Sequence, residues 1–401
     1  MNMNNVQLNV SGEAWLQDVD LMRLMSHLNQ NGDDARIVGG AVRDTLLNIF
    51  WKRKRKVGDV DIASKLTPQE NIKILEEAGI DVVPTGLKHG TITAIINKQH
   101  FEITTLRKDV STDGRHAEVE FSKDWTEDAK RRDFTINALY LDMDGNIYDP
   151  LGGFKDIKAA RVCFIGDART RIREDALRIL RFFRFASDIE VGGVDEKGVL
   201  AAVELKEMIN TLSGERIRDE FKKILLSKRV QQTIPILASI GLLRVILPEY
   251  EGYGDFLKYI KREKKLDRKN VIGRLACLLP KNEKFIVQAS KRLKLSNKER
   301  NQLISYSRDY ERHELRKKDL RRVVYLHGKD VVIHNLIQLD VLDEKKINYI
   351  NAYQIPEMPL SGKDLLKEGW KAGRDMGEEL KRREVAWIEA DFNSKENQES
   401  H

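Results

Sequence analysis

The chain has 401 residues, with 70 Lys and Arg against 63 Asp and Glu, a formal net charge of +7 and a pI of about 9.1. This excess of positive charge indicates a polyanionic partner, nucleic acid before membrane. Two cysteines, Cys163 and Cys277, are too few for a disulfide framework or a zinc site. The N-terminus lacks the features of a signal peptide, and no apolar run approaches the roughly 20 residues of a spanning helix. We therefore expect a soluble cytoplasmic protein that contacts no membrane.

The predicted elements begin with a helix and continue as strands. Residues 13–29 have a helical period that places Trp15, Val19, Met22 and Met25 on one face. Short β-branched runs then alternate with turn residues and predict strands in five segments, in chain order RIVGG, DVDIAS, TITAIIN, HFEITTL and ALYLDMDGNIYD.

Helices are predicted between these strands, near 42–50 and 68–78. The segment LDMDGNIYD is typical of a hairpin with Asp144-Gly145 as its turn. After about residue 168 strand signals nearly vanish, and segments such as DALRILRFFRFA and GERIRDEFKKILL have helical period. The sequence therefore predicts an α+β head followed by a long all-helical remainder.

Two aspartates, Asp59 and Asp61, follow the most basic run of the chain, KRKRK at 52–56. If GDVDIAS is a strand, both carboxylates share one face while Val60 and Ile62 turn to the core. The two Cα atoms would then be roughly 6.5–7 Å apart, which suits divalent cations. Such hard oxygen ligands favour Mg²⁺ held together with substrate phosphates. An Asp-x-Asp pair alone is also compatible with a solvated strand edge.

The segment RIVGGAVRDTLL, at 36–47, predicts a strand, a Gly39-Gly40 turn and a helix N-terminus. Glycines let the backbone approach a ligand, and the start of a helix offers unpaired N–H groups to an anion. Arg43, one turn into the helix, adds a cation. Together with the aspartate pair, this turn predicts a site for a phosphate and a metal.

The motif GGAVRD followed by DVDIA resembles the head signature of the class II tRNA nucleotidyltransferase and bacterial poly(A) polymerase family, within the polymerase-β-like superfamily. Further segments resemble the motifs of this family in the family order: RRDFTINAL at 131–139, DPLGGFKDI with RVCFIG at 149–166, REDALRILRFFRF at 173–185 and SGERIRDEF at 213–221. PLSGKDLLKEGW and VAWIEADF resemble the tail of bacterial CCA-adding enzymes. The resemblance extends from about residue 36 to 392.

The resemblance implies a polymerase-β-like nucleotidyltransferase head, a mixed sheet with helices, followed by an all-helical neck, body and tail. We expect a catalytic head, a neck with the nucleobase-recognition motif, an RNA-binding body and a tRNA-binding tail, at 1–165, 166–228, 229–315 and 316–401. The implied substrates are tRNA, CTP and ATP, with no obligate protein partner.

By the same resemblance, Asp59 and Asp61 bind Mg²⁺: one ion activates the RNA 3′-hydroxyl and another steadies the pyrophosphate leaving group. Glu102 in HFEITTL is the candidate third carboxylate, with a solvated strand residue as the alternative. Arg43 and the Gly40 backbone are expected to hold the triphosphate.

The RRD motif is expected to place Arg132 against the nucleotide and Asp133 against the ribose 2′-hydroxyl. In REDALRILRFFRF, helical spacing sets Asp175 and Arg178 one turn apart, and the resemblance assigns this pair as the protein template for the incoming base. An ordinary intrahelical salt bridge is the alternative. The arginines further along the predicted helix are expected to meet phosphates or primer; they are Arg181 and Arg184.

A carboxylate beside a guanidinium presents an acceptor beside donors, in the manner of a Watson–Crick edge. Cytosine and adenine each offer an amine donor and a ring-nitrogen acceptor, whereas guanine and uracil place a carbonyl oxygen against the carboxylate. Each mismatch leaves buried polar groups unpaired, at a cost of about 1–3 kcal/mol.

Other basic and polar segments are less specific. KRKRK resembles a localisation signal, but its position before the aspartates favours a solvated, RNA-facing connection. Residues 107–121 resemble the flexible loop of the family, with a long turn as the alternative. The basic helices between 257 and 323 are expected to follow the acceptor and TΨC arms of tRNA, although such helices are usually solvated faces.

Two classes of function remain open from the sequence. The first is an enzyme that adds CCA to tRNA, with poly(A) polymerase or a partial CC- or A-adding enzyme as variants. The second is a non-catalytic RNA-binding protein on the same scaffold. The presence of Asp59, Asp61, Arg43, Asp175 and Arg178 favours the enzyme.

Overall fold

The computed structural model describes residues 5–112, 117–189, 194–266, 268–308, 315 and 320–392. The chain forms two compact units, Met1–Ile246 and Leu247–His401. The division of the helical part into neck, body and tail stays a prediction. Among the described residues, no helix combines the length and the apolar character needed to cross a lipid bilayer.

An eight-stranded mixed sheet forms the centre of the first unit, with strand order β1-β10-β9-β2-β3-β6-β5-β4. The described strands are β1 Asn5–Asn9, β2 Ala35–Val38, β3 Asp61–Ser64, β4 Asp81–Gly86, β5 Thr91–Ile96, β6 Gln99–Thr105, β7 Arg107–Thr112, β8 Ala117–Phe121, β9 Tyr140–Leu141 and β10 Asn146–Tyr148. Strand β3 pairs antiparallel with β2 and parallel with β6, and this pairing brings the GG turn and the aspartates to one edge.

The predicted strands and the hairpin are confirmed, and the turn of the hairpin contains Gly145 with a φ of 84°. Strands β1, β4, β7 and β8 were not predicted. Strand β1 pairs with β10, far along the chain, so no local pattern announces it.

The helices of the first unit include those predicted near 42–50 and 68–78. They are α1 Val19–Leu28, α2 Gly40–Trp51, α3 Pro68–Glu77, α4 Trp125–Arg131, α5 Gly153–Lys158, α6 Ala168–Glu174, α7 Leu177–Ile189, α8 Glu196–Leu205, α9 Gly214–Leu226, α10 Val230–Ser239 and α11 Leu242–Ile246. Short 3-10 helices cover Ala14–Gln17, Leu87–His89, Thr135–Asn137 and Lys206–Thr211.

The helix predicted over residues 13–29 is divided in the structure: a 3-10 helix covers Ala14–Gln17, and α1 begins at Val19 after its N-cap Asp18. Of the residues predicted to share one helical face, Met25 is buried, whereas Val19 is 79% exposed. The buried residues of α1 are instead Leu21, Leu24, Met25 and Leu28, spaced for one helical face.

The second unit is helical throughout its described residues. Its helices are α12 Gly254–Glu263, α13 Val271–Ala276, α14 Glu283–Arg292, α15 Asn297–Tyr306, α16 Leu320–His327, α17 Lys329–Gln338, α18 Glu344–Ala352, α19 Gly362–Lys367 and α20 Arg374–Glu389, with a 3-10 turn at Lys264–Leu266. Its interior holds a buried ion pair between Arg274 and Glu263, at 2.6 Å. His334 is fully buried and stacked on Tyr306, and burial lowers its pKa to about 3, which keeps the imidazole neutral.

A buried carboxylate, Asp128, fastens helix α4 to the sheet. It accepts from the Tyr140 hydroxyl of β9 at 2.7 Å and forms ion pairs with Arg131 and Arg132. Trp125 of the same helix lies in the core cluster with Tyr140. Burial by itself would raise the pKa of Asp128, but the two guanidinium groups and the hydroxyl outweigh it and lower this pKa to about 2.

We expect Asp128→Asn to destabilise the first unit by about 3–5 kcal/mol at neutral pH, since it leaves two half-buried arginines without their carboxylate. The folded pKa of Asp128 lies below its unfolded value of 3.8, so its stabilisation is present above that value and is lost as the pH falls towards 2. The difference in free energy of unfolding between wild type and variant should therefore narrow by on the order of 2 kcal/mol between about pH 5 and pH 2.

Denaturant-induced unfolding of wild type and variant across this pH range measures the difference in free energy of unfolding. Asp81→Asn, at an exposed aspartate of β4, is the matched control and should stay near wild type throughout. A destabilisation by Asp128→Asn that does not change with pH would contradict the assigned ionisation.

Candidate active site

A cavity of about 690 Å³ in the first unit collects the residues that the sequence singles out. Its lining includes Gly40, Arg43, Asp59, Asp61, Arg132, Asp175, Arg178, Arg181 and Arg184, whereas the candidate third carboxylate, Glu102, is not among the lining residues. The role of each residue stays a prediction.

The two aspartates reach the cavity in a different way from that predicted. Strand β3 begins at Asp61, so Asp59 precedes the strand and does not share a strand face with Asp61. Both nevertheless line the cavity. Glu102 of β6 lies directly opposite Asp61 in the parallel ladder, which brings a third carboxylate beside the pair.

The electrostatic surroundings of Asp61 are unusual for a carboxylate at the surface of a cavity. Burial raises its pKa to about 6, Glu102 and Asp59 add to this rise, and Arg132 and Arg43 oppose it. Within the described part of the chain, no donor hydrogen-bonds to the Asp61 side chain. The cluster therefore carries negative charge that the described residues leave without a direct partner.

The Gly39-Gly40 turn has the geometry that the sequence predicts. Gly39 has a φ of 76°, and a Cβ at this position would lie 3.8 Å from the Asp61 carboxylate. Helix α2 starts at Gly40, so its free N–H groups open beside the carboxylates. Any larger residue at Gly39 would strain the turn.

Arg43 is held on both sides before any ligand binds. Its guanidinium pairs with Asp44 at 3.0 Å and donates to Asn137 Oδ1 at 2.8 Å. The Asn137 amide in turn donates to Asp133 at 3.0 Å. These contacts leave Arg43 with one orientation, towards the cavity.

Asp133 is saturated with donors. It accepts from the Phe134 backbone at 2.8 Å, from Asn137 and from Arg181 Nε at 2.7 Å. Burial opposes its ionisation, but Arg181 and Asn137 outweigh this effect, so the pKa of Asp133 is lowered. A ribose hydroxyl would have to displace one of these donors.

The helix predicted across REDALRILRFFRF is broken. Asp175 has an extended backbone, with φ of −153° and ψ of 106°, between the end of α6 and the start of α7. The predicted one-turn spacing of Asp175 and Arg178 on one helix is therefore wrong, and so is the alternative of a salt bridge between them. Instead, the Asp175 side chain caps the new helix by accepting from Leu177 N at 3.0 Å.

Separate partners hold the two candidate template residues. Arg216 of α9 donates to Asp175 at 2.8 Å. Arg178 pairs with Glu174 at 2.5 Å and donates to the Arg171 carbonyl at 2.9 Å. Both side chains still line the cavity, now as two independently fixed groups.

The next arginines along α7 meet a second buried carboxylate, Glu220 of α9. Arg184 lies 2.7 Å from Glu220 and over the Phe185 ring at 4.0 Å. Arg181 lies 3.8 Å from the same carboxylate. Burial lowers the pKa of Arg184, with Glu220 acting in the opposite direction.

Sequence reasoning missed three residues that organise the cavity: Asn137, Arg216 and Glu220. All three lie inside motifs that the sequence analysis quotes, RRDFTINAL and SGERIRDEF. The motifs indicate that these segments matter, but the residues that Asn137, Arg216 and Glu220 contact lie tens of residues away in the sequence. Only the fold shows these contacts.

Within the range 107–121, strands β7 and β8 pair antiparallel, whereas a loop or long turn was predicted. Residues 113–116 lie outside the described part of the chain. The end of this strand pair nearest the sheet is fixed, since Ser122 N donates to the Leu106 carbonyl and Phe121 packs at Gly90.

Two family profiles match the chain. The poly A polymerase head domain matches residues 35–163, and the probable RNA and SrmB-binding site of polymerase A matches residues 194–253. The first match covers the strands of the sheet from β2 onwards, the GG turn and the carboxylates.

Solved structures share this fold. The crystal structure of Bacillus stearothermophilus CCA-adding enzyme in complex with CTP is 26% identical, with a TM-score of 0.76, and the match covers 96% of this chain and 95% of that chain. Thermotoga maritima CCA-adding enzyme complexed with tRNA is 19% identical, with a TM-score of 0.63 over 92% of both chains, and supports the fold alone.

Curated relatives match along most of their length. The mitochondrial CCA tRNA nucleotidyltransferase 1 of Danio rerio is 35% identical over 378 residues, 92% of this chain and 86% of the relative. A CCA-adding enzyme of Lactococcus lactis subsp. cremoris is 32% identical over 380 residues, 90% of each. Because the similar relatives include both a mitochondrial enzyme and a bacterial one, the cytoplasmic location of this chain stays a prediction. The chain belongs to the family of CCA-adding enzymes, the CCA tRNA nucleotidyltransferases.

Proposed function

We propose that the chain adds CMP, CMP and AMP to the 3′ end of tRNA, using CTP and ATP. The observation that carries this proposal is the cavity, which combines carboxylates, phosphate-directed cations and a separate carboxylate and guanidinium suited to a base. Relatives that match along nine-tenths of the chain are named for this activity.

The triphosphate fits the start of helix α2. Gly40 opens the helix, its free N–H groups favour an anion, and Arg43 is already oriented by Asp44 and Asn137. Arg132, whose charge is fixed by Asp128, is the second cation for the nucleotide. Because these groups are held before binding, little side-chain entropy is lost when a nucleotide enters.

The base is read by Asp175 and Arg178. A carboxylate has about four acceptor positions, and the contacts with Arg216 and Leu177 use two of them. Arg178 uses three N–H groups on Glu174 and on the carbonyls of Arg171 and Arg131, which leaves two for a ligand. Cytosine and adenine meet this pair with an amine donor and a ring-nitrogen acceptor.

Asp133 contributes through its neighbours. With its acceptor positions occupied, it fixes Arg181 on one side and Asn137 on the other. Arg181 and Arg184 then present positive charge along one wall of the cavity, where phosphates of the nucleotide or primer pass.

The carboxylate cluster fits a divalent cation. Asp59, Asp61 and Glu102 have no side-chain donor among the described residues, and burial, followed by the charges of Glu102 and Asp59, raises the pKa of Asp61. Within those residues no three His, Cys, Asp or Glu side chains form a complete ligand set. Mg²⁺ suits such a site, since it keeps water and substrate phosphates as ligands beside one or two carboxylates.

Asp59 and Asp61 would hold the ion, with Glu102 beside them. When bound, Mg²⁺ supplies positive charge that lowers the pKa of the attacking hydroxyl and neutralises the leaving pyrophosphate. The protein's own contribution is position: Arg43 and the α2 N-terminus fix the phosphates, and the base contacts fix the nucleoside.

Incubation of the purified protein with tRNA lacking its CCA, together with Mg²⁺ and single or combined NTPs, tests the function. We expect two CMP additions with CTP alone, one further AMP with CTP and ATP, and then termination. A tRNA already ending in CCA is the matched control and should not be extended. Long oligo(A) tails on unrelated RNA would support a poly(A) polymerase instead, and no incorporation of any NTP would favour a non-catalytic RNA-binding protein.

Two variants that each remove the ion pair between Asp175 and Arg216 test base selection. Asp175→Ala removes the acceptor for the exocyclic amine and also its repulsion of a carbonyl oxygen. We expect lower CTP and ATP incorporation with measurable UTP or GTP incorporation. Arg216→Met keeps the carboxylate but frees it, so it should raise KM for CTP and ATP while preserving their preference over UTP and GTP.

Single-nucleotide extension of trimmed tRNA with each of the four NTPs gives the result. If Asp175 served only the ion pair, the two variants would behave alike, and an unchanged preference in Asp175→Ala would rule out the template role.

A further inference from the structure

The basic run KRKRK, residues 52–56, is here called the strap. Its side chains alternate in exposure: Lys52, Lys54 and Lys56 are exposed, whereas Arg53 and Arg55 are half-buried. In a solvated loop of like charges, the exposure of the side chains is not expected to alternate between lysine and arginine. The alternation indicates that arginines and lysines have different tasks.

The arginines fasten the strap to the rest of the first unit. Arg55 pairs with Asp44 at 3.1 Å and donates to the Asp188 carbonyl at 2.7 Å. Arg53 donates to the Ile189 carbonyl at 3.4 Å. Both carbonyls belong to the last turn of α7, where acceptors lack intrahelical partners.

The backbone of the strap is fixed as well. The Asn48 side chain accepts from Arg55 N and donates to the Arg55 carbonyl, both at 2.9 Å. Asp44, which holds Arg55, also holds Arg43 of the phosphate site. The strap is therefore tied to the element that carries the predicted triphosphate contact.

The lysines make no ion pair or side-chain hydrogen bond with the described residues. Lys52 follows the last residue of α2, where a cation favours the helix dipole, but Lys54 and Lys56 lie beyond the reach of that effect. Three free ammonium groups on a fixed backbone repel one another unless a polyanion lies against them.

The strap leads directly into the carboxylates. Two residues after Lys56 the chain lines the cavity with Gly58 and Asp59. A polyanion that ends at the carboxylates therefore passes close to the strap. A strand of RNA with its 3′-hydroxyl in the cavity is such a polyanion, and its backbone carries one charge per nucleotide.

We propose that Lys52, Lys54 and Lys56 contact the backbone phosphates of the RNA strand whose 3′ end enters the cavity. The proposal rests on the proposed function for the identity of the RNA. The arginines hold the backbone of the strap in place, and the lysines supply affinity that does not depend on the RNA sequence. Phosphate contacts of this kind orient a nucleic acid without recognising its bases.

The test is tRNA binding by the full chain as a function of salt. The triple variant Lys52→Gln, Lys54→Gln, Lys56→Gln should lower the slope of log Kd against log salt by about 2–3, at 0.7 to 0.9 per phosphate contact. The matched control replaces three exposed lysines of the same unit by Gln, at Lys73, Lys88 and Lys98, with the same loss of charge. Its slope should stay near wild type.

Two further arms locate the contact. A triple Lys→Arg variant of the strap keeps the charge and should restore the wild-type slope. A minihelix that contains only the acceptor stem and 3′ end should show the same loss with the Gln variant as full tRNA does. Unchanged KM for CTP and an unchanged melting temperature would show that the fold and nucleotide site are intact.

Equal slopes for the strap variant and the control variant would overturn the proposal, as would a loss seen with tRNA and absent with the minihelix. These measurements report RNA binding and do not depend on catalysis. A failure of the proposed function would instead be seen in the incorporation assay, as no nucleotide addition by the wild type.

Discussion

The cavity depends on one constraint: a group of arginines must be held close together with fixed directions. Buried or half-buried carboxylates meet this need. Asp133, Asp175 and Glu220 bind guanidinium groups from other parts of the chain, and Asp128 binds those of its neighbours Arg131 and Arg132. Such pairs contribute little net stability, because desolvation offsets much of their attraction. Their value lies in geometry, since the charges that meet a nucleotide are oriented before it arrives.

The carboxylates of Asp59 and Asp61 are the exception to this pairing. The arginines near them, Arg43 and Arg132, are committed to other partners. Burial raises the pKa of Asp61, and the negative charges of Glu102 and Asp59 add to this rise. Among the described residues, neither carboxylate has a hydrogen-bonding or ion-pair partner, and a negative cluster beside a helix N-terminus suits the proposed ligand, which brings cations and phosphates together.

The sequence predicted the architecture of the head and the membership of the cavity, because strands, turns and motif residues are encoded locally. It failed where distant residues decide. Helical spacing suggested a continuous helix through Asp175, yet Arg216, 41 residues later, and the capping of Leu177 stabilise a break there. Val19 is a local failure: it fits the face of one helix over 13–29 in the sequence, but the structure has a 3-10 helix followed by a new helix that begins at Val19, and Val19 is exposed.

The central claim is that the unpaired carboxylates form a cation site within an otherwise paired set of charges. Electron paramagnetic resonance of Mn²⁺, which shares the oxygen ligands of Mg²⁺, measures this site directly in the presence of CTP. We predict that Asp61→Asn weakens Mn²⁺ binding by about tenfold or more, while Asp81→Asn leaves it unchanged. Wild-type Mn²⁺ affinity in Asp61→Asn would contradict the account.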